Sequence, residues 1–259
     1  MSETPVALET RDLTIRFGGH VAVDHVSCAF RPGELVAIVG PNGAGKTTFF
    51  NLISGQLRAS GGQVLLDGAD IVRQSAATRA RRGIGRAFQL TNLFPTLSVA
   101  ENVRLAVQAA AGVHYDMIRP WITRRDLIAR ADAILADVSL LAKRTHAAAA
   151  LPHGDQRKLE VALMMALSPR VYMFDEPTAG MSVDEAPVVL DLIARLKEDK
   201  DKIVLLVEHK MDVVRALADR VVVLVDGALV ADGAPAAAMN NPLVQQAYLG
   251  VPPDTAAAR

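Results

Sequence analysis

The chain is 259 residues long with 28 Lys and Arg against 28 Asp and Glu, enough for a substantial core in one large domain or two small ones and without the basic excess of a general nucleic-acid binder. Its single cysteine, Cys28, excludes an intrachain disulfide framework and a cysteine zinc cluster, and it reads as a small core residue in a reducing compartment. No apolar run approaches the roughly 18 residues that span a bilayer, and the start Met-Ser-Glu-Thr-Pro lacks a charged-then-apolar signal pattern, so a membrane role is expected to come through a partner.

Residues 6–30 alternate apolar and polar, with Leu13, Ile15 and Phe17 on one face and Val21, Val23 and Val26 resuming after Gly18-Gly19. This spacing predicts an antiparallel hairpin ending at the Arg31-Pro32-Gly33 turn. Phe17 has two readings: third member of a core face, or an aromatic before a glycine turn that stacks on a purine base. The apolar run Leu35–Val39 then leads into Gly40-Pro41-Asn42-Gly43-Ala44-Gly45-Lys46-Thr47-Thr48, followed by a helix-like apolar segment at 49–53. A G-x-x-x-x-G-K-T stretch between a buried strand and a helix is the context a phosphate loop requires. Its glycines allow positive φ, so successive N–H groups turn inward to cradle phosphate oxygens at the electropositive helix end. Lys46 can then reach the β/γ-phosphates and Thr47 can set its hydroxyl on Mg²⁺.

A turn at 59–62, a short strand at 63–66 and the tight turn Asp67-Gly68 come next. Arg79, Arg81 and Arg82 read as a solvated helix face, and residues 84–88 as a strand that ends at Gln89. From Ser98 to about Leu141 the period becomes helical, with Val99, Val103 and Val107 and then Leu127, Ala131 and Ile134 on recurring faces. The loop between these helices carries Trp121, read as covering a core edge. The segment as a whole reads as a helical subdomain inserted into an α/β chain. At Leu151-Pro152-His153-Gly154-Asp155 a further helix begins, with Pro152 suited to its first turn and its electropositive start physically able to hold an anion.

The continuous apolar run at 171–174 ends in Asp175-Glu176. Such a run suits a strand buried on both faces of a parallel sheet, and ligands bind at the carboxyl ends of such strands. Two adjacent carboxylates there are costly without a cation, so Asp175 fits a Mg²⁺ ligand and Glu176 the group that orients or deprotonates attacking water. Ser182 and Glu185 have capping-box spacing. Ile203–Val207 predicts another buried strand, with Glu208-His209 at its tip, where His209 could hydrogen-bond a γ-phosphate. Residues 221–231 form a closing hairpin, and the Pro252-Pro253 tail reads as disordered.

The order and spacing of these features resemble the nucleotide-binding subunit of an ATP-binding cassette (ABC) transporter over nearly the whole chain. Residues 40–48 match the Walker A loop, Gln89 the Q-loop, 171–177 the Walker B strand with its following glutamate, 179–182 the D-loop and His209 the switch histidine. Phe17 matches the aromatic that stacks on adenine. Leu151, Pro152, His153, Gly154 and Asp155 occupy the place of the LSGGQ signature, and Gln156-Arg157-Lys158-Leu159-Glu160 continue it. Pro152 stands where the family has serine and His153 where it has glycine, so only Gly154 and neighbouring amides remain for a partner's nucleotide; Ser182 replaces the D-loop aspartate. These departures, the long helical insert and the ending Ala247-Tyr248-Leu249-Gly250 are similar to one branch, the ATPases of branched-chain amino-acid uptake, and above all to the longer of that system's two ATPase subunits.

The resemblance implies a P-loop NTPase (RecA-like) α/β core with an antiparallel β subdomain and an inserted α-helical subdomain. The α/β lobe would take residues 1–90 and 155–259 and the helical signature subdomain residues 91–154. It implies ATP and Mg²⁺, with Thr47, Gln89 and Asp175 on the metal, and Glu176, His209 and Gln89 as the hydrolytic and γ-phosphate-sensing groups. The implied partners are a second ABC ATPase subunit, homo- or heterodimeric, two transmembrane permease subunits and, indirectly, a periplasmic or extracellular solute-binding protein, with no nucleic acid. The implied location is the cytoplasmic face of the cell membrane. Urea, short amides and aromatic acids stand beside amino acids as solutes. A soluble ABC protein acting on nucleic acid or ribosomes would show a second cassette or a long coiled-coil insert, and neither is visible; a phosphate-loop kinase or GTPase would leave the helical insert and residues 151–162 unexplained, and the Asn-Lys-x-Asp stretch of a GTPase does not occur.

Overall fold

The computed structural model describes residues 7–87, 93–112 and 124–249; Gln89, Trp121, Gly250 and the Pro252-Pro253 tail lie outside them. Strands β1 (Leu8–Phe17), β2 (His20–Phe30), β4 (Gly61–Leu66) and β5 (Ala69–Asp70) form an antiparallel sheet in the order β2-β1-β4-β5. The second sheet runs β10-β9-β3-β8-β7-β6, from β3 (Leu35–Val39), β6 (Ile84–Ala87), β7 (Val171–Asp175), β8 (Ile203–Val207), β9 (Arg220–Val225) and β10 (Ala228–Gly233). Its pairings are parallel except for the closing β9–β10 hairpin. The helices are α1 (Lys46–Ser54), α2 (Ala76–Arg81), α3 (Val99–Ala110), α4 (Arg125–Asp137), α5 (His153–Leu167), α6 (Ala186–Leu196), α7 (Met211–Leu217), α8 (Pro235–Met239) and α9 (Pro242–Leu249). None is long and apolar enough to cross a membrane.

The apolar runs explain the sheet. Every residue of β3, β7 and β8 is buried, and the two-residue period sends alternate side chains to opposite faces. Ile203, Leu205 and Val207 join Val36, Ile38 and Met173 in a core closed by the antiparallel sheet and by Phe49, Phe50 and Ile53 of α1. Val204 and Leu206 face the other way with Tyr172 and Phe174, onto Val103 of α3, Leu159 of α5 and Ile193 of α6. The apolar stripe of α4, Leu127, Ala131 and Ile134, belongs to that second core. Helix α3 opens with a capping box in which Ser98 Oγ accepts from Glu101 N at 3.1 Å and Glu101 Oε2 accepts from Ser98 N at 3.1 Å. Ser182 and Glu185 make the same reciprocal pair one turn ahead of α6, as their spacing predicts. Cys28 is a buried free thiol that burial pushes up to about 12, consistent with a core role.

Arg79 departs from the sequence reading. It does not lie on a solvated face: it is 1% exposed. Its guanidinium donates to the carbonyls of Leu52 (2.6 Å) and Ile53 (2.7 Å), to that of Val72 (2.7 Å) and to that of Gln74 (3.1 Å). The first two belong to the last turn of α1, whose carbonyls have no partner within their helix. Burial pulls its pKa down to about 10. Arg79→Ala is therefore expected to lower the unfolding free energy by roughly 3 kcal/mol or more, because several buried acceptors lose their donor together. Equilibrium urea unfolding checks this, and a loss below about 1 kcal/mol would contradict it.

Candidate functional site

The loop between β3 and α1 is shaped by close backbone contact. A Cβ on Gly40 (φ +154°) would lie 2.1 Å from the Leu224 carbonyl of β9, and one on Gly45 (φ +90°) would lie 2.3 Å from the Ala22 carbonyl of β2. Glycine is thus required by conformation and by space at both ends. Helix α1 starts on Lys46 with no side-chain cap and no acidic residue in its first turn, so its free amides and positive dipole face the loop. Lys46 is buried, and its Nζ spans the loop, donating to the Gly40 carbonyl at 2.7 Å and to Pro41 at 2.9 Å. Thr47 and Thr48 follow, half-buried, in the first turn, while Asn42 and Gly43 are exposed and Ala44 is buried.

Sheet order brings the acids to this loop. Strand β8 lies between β3 and β7, so the carboxyl ends of all three strands meet on one edge. Burial lowers the pKa of Lys46, and the charges of Glu176 and then Asp175 oppose that shift. Asp175 is 3% exposed. Its Oδ2 accepts from Arg86 Nη2 at 2.8 Å, while its buried Oδ1 has no hydrogen-bond partner among the described residues. Burial raises the Asp175 pKa, and the Arg86 guanidinium pulls against that shift. Glu176 has a positive φ (49°), and its N–H donates to the Val207 carbonyl at 3.0 Å. That turn fixes the backbone, and its side chain lies 3.8 Å (Oε1) from His209 Nδ1. His209 is placed by buried Glu208, which accepts from Thr178 Oγ1 (2.7 Å), His209 N (3.0 Å) and Lys210 N (3.3 Å).

No group of three or more His, Cys, Asp and Glu poised to cage a metal exists among the described residues. That composition disfavours an all-protein cage but suits Mg²⁺, which keeps waters and takes one or two protein oxygens beside substrate phosphates. The orphaned Asp175 Oδ1 and the Thr47 hydroxyl are hard oxygen donors of that kind.

The core reading of Phe17 is overturned. The β1–β2 register shifts between Leu13 and Ile15 and again between Ile15 and Arg16, breaking the alternation that would have turned Phe17 inward, and the ring is 50% exposed. Its hairpin touches the phosphate loop through Ala22 and Gly45. Leu151 is buried and Pro152 is the N-cap of α5, with His153 as first helical residue. Gly154 lies against the Glu185 carboxylate: a Cβ there would lie 2.3 Å from Glu185 Oε1 and would require that side chain to move. His153 Cε1 would lie 3.5 Å from a Cβ on Gly180. Burial would raise the Asp155 pKa, but hydrogen bonds from Lys143 and Lys158 carry it below the usual carboxylate value. Among the described residues, no hydrogen bond or ion pair joins 151–155 to residues 40–48 or 175–176. The structure thus brings together the loop, the two acids and His209, while Gln89 lies outside the described residues.

Sequence reasoning passed over two contacts of this site. Arg86 gave no signal beyond its place in a short strand. Tyr248, on α9, lies near the Gly40 backbone, whose polarity opposes the upward pull of burial on its pKa; the Ala247-Tyr248 ending carries no sign of this in the sequence.

Comparison with known proteins accords with this geometry. The family model described as ABC transporter matches residues 23–179, and one described as branched-chain amino acid ATP-binding cassette transporter matches residues 228–253. The chain is 37% identical over 248 residues to the high-affinity branched-chain amino acid transport ATP-binding protein LivG of Escherichia coli K12, covering 94% of this chain and 97% of that protein. It shows the same identity and coverage to BraF of Pseudomonas aeruginosa, which carries the same description. Among solved structures, the ADP conformation of an ATP-binding cassette of an ABC transporter superposes with TM-score 0.81 at 26% identity, covering 96% of this chain and 100% of that one. A dimeric post-hydrolysis cassette bound to ADP and phosphate gives 0.74 at 25% identity, covering 88% and 98%.

Proposed function

Because this chain belongs to the ATP-binding cassette transporter family, we propose that it is the ATP-hydrolysing subunit of an importer that energises uptake of branched-chain amino acids through separate transmembrane subunits. The observation that carries this reading is the convergence of the phosphate loop, Asp175, Glu176 and His209 at adjacent strand ends. The names of the full-length relatives and the match at residues 228–253 supply the solute class.

In this mechanism the amides of residues 40–48 hold the phosphates of ATP. Lys46 leaves the Gly40 and Pro41 carbonyls to meet the β/γ-phosphates, a charge-assisted exchange that strengthens the contact. Thr47 and Asp175 hold Mg²⁺, with Gln89 as a third group. When bound, the metal supplies positive charge to the phosphate oxygens. Glu176 accepts a proton from, or orients, the attacking water. A water bonded to both Glu176 and His209 fits their 3.8 Å separation, which lets His209 report the γ-phosphate to the same group. Two cassettes close head to tail, so that residues 151–155 of each face the other's nucleotide; that a solved neighbour of this chain is dimeric supports the pairing. Gln89 passes the state of the site to the permeases, and the helical subdomain at 91–154 moves against the α/β lobe at 1–90 and 155–259. The working location is the cytoplasmic face of the membrane.

Phe17 stacks on the adenine ring in this reading. Phe17→Ala is expected to weaken ATP binding about fivefold, the equivalent of about 1 kcal/mol for one aromatic contact. Competition titrations against a fluorescent nucleotide measure this, and an unchanged ATP affinity returns Phe17 to a surface role.

Uptake of radiolabelled leucine, isoleucine and valine by source cells lacking this chain tests the transport reading. Complementation by the wild-type chain should restore uptake, and complementation by Lys46→Ala should not. Normal uptake in the deleted cells would overturn the assignment of solute.

A further inference from the structure

Arg86 is a charge on the edge strand β6, buried between the parallel sheet and α1. It lies on β6 opposite Met173 of β7, and its side chain is 7% exposed. Nη1 donates to Asn51 Oδ1 at 2.5 Å, Gln56 Oε1 at 3.1 Å and Ser54 Oγ at 3.2 Å, all on or just after α1. The guanidinium carbon sits 5.7 Å from the centroid of the Phe50 ring. These contacts fix one edge of a rigid planar fork, so the direction of Nη2 is set from the α1 side. Nη2 meets only one oxygen of Asp175, Oδ2, at 2.8 Å, and Asp175 Oδ1 is left buried without a hydrogen-bond partner among the described residues.

A buried ion pair contributes little net stability and is costly when half-removed. A buried carboxylate oxygen without a partner is itself unfavourable. The arrangement makes sense if the second oxygen has a partner that arrives with the ligand. We propose that Arg86 is a positioning residue for the metal, holding the Asp175 carboxylate rotated so that Oδ1 is presented to the Mg²⁺ of the bound nucleotide. This rests on the reading of Asp175 as the metal carboxylate. Because the same guanidinium is fastened to Asn51 and Ser54, it also ties the helix that follows the phosphate loop to the strand that carries the metal ligand.

The test uses the full chain in excess over ADP, with Mn²⁺ as the probe, titrated by electron paramagnetic resonance. Loss of an outer-shell partner typically weakens metal binding 10–100-fold. Arg86→Met is expected to weaken Mn²⁺ binding about tenfold, with Arg86→Lys recovering part of the loss. ADP affinity in excess EDTA, which does not involve the metal, should stay within about twofold in every variant. A merely structural role would move both quantities together. Asp175→Asn should weaken Mn²⁺ by at least as much as Arg86→Met, and adding Arg86→Met to it should change nothing further. If Arg86→Met alone does not fold, Arg86→Lys carries the test: weaker Mn²⁺ binding with unchanged ADP affinity in EDTA supports the proposal, and unchanged Mn²⁺ binding overturns it. If Asp175→Asn weakens Mn²⁺ while Arg86→Met leaves it unchanged or tightens it, Arg86 does not position the ligand and the proposal fails alone. If Asp175→Asn leaves Mn²⁺ unchanged, the reading of Asp175 fails, and this proposal with it.

Discussion

Glu176→Gln is expected to lower ATP turnover by about 10²-fold or more while ATP still binds, because a positioned acid–base group contributes about 10²–10⁴. The substitution is nearly isosteric. It leaves the backbone turn at φ 49° and the N–H bond to Val207 in place, while it removes the negative charge and turns one acceptor oxygen into an NH₂ donor, so the side chain can no longer take a proton. Phosphate binding is assigned to the loop before Thr47, so affinity should change little. Phosphate release and nucleotide binding, measured on the same preparation, separate the two effects. Turnover within a few-fold of wild type would remove Glu176 from the chemical step and leave His209, 3.8 Å away, as the better candidate.

Lys46→Ala is expected to cost about 10²-fold in ATP affinity, since a charge-assisted hydrogen bond to a phosphate is worth roughly 1.5–3 kcal/mol. Removing the ammonium also leaves the Gly40 and Pro41 carbonyls without their donor. A fluorescent ATP titration reads the loss, and a thermal melt without nucleotide shows whether the loop has collapsed. Unchanged affinity with an unchanged melt would mean that the triphosphate is not held here.

Much of this site was legible because its signals are local. The strand before the loop, the glycines of the loop and the Lys-Thr pair fall within a dozen residues, and the physics of a helix N-terminus needs no distant partner. The fully buried runs of β7 and β8 announced a parallel sheet, and a parallel sheet places its ligand at the strand ends, which carried Asp175, Glu176 and His209 to the right edge. What failed to show was pairing across the chain. Arg79 and Arg82 look alike in sequence, yet only Arg79 is drawn inward, because the end of α1 presents carbonyls that lack donors. Arg86 and Asp175 are 89 residues apart, and no periodicity announces such a bond. Phe17 was ambiguous for another reason: a bulge shifts a strand's facing by one residue, and the sequence of β1 carries no glycine or proline to mark it.

A crystal structure of the Glu176→Gln chain grown with ATP and Mg²⁺ tests the central claim most directly. The account predicts the triphosphate along the amides of residues 40–48, Lys46 released from its own loop onto the phosphates, and the metal on Thr47 and on Asp175 Oδ1. A nucleotide bound elsewhere, or a metal that ignores Asp175 while Lys46 stays on the Gly40 carbonyl, would contradict it.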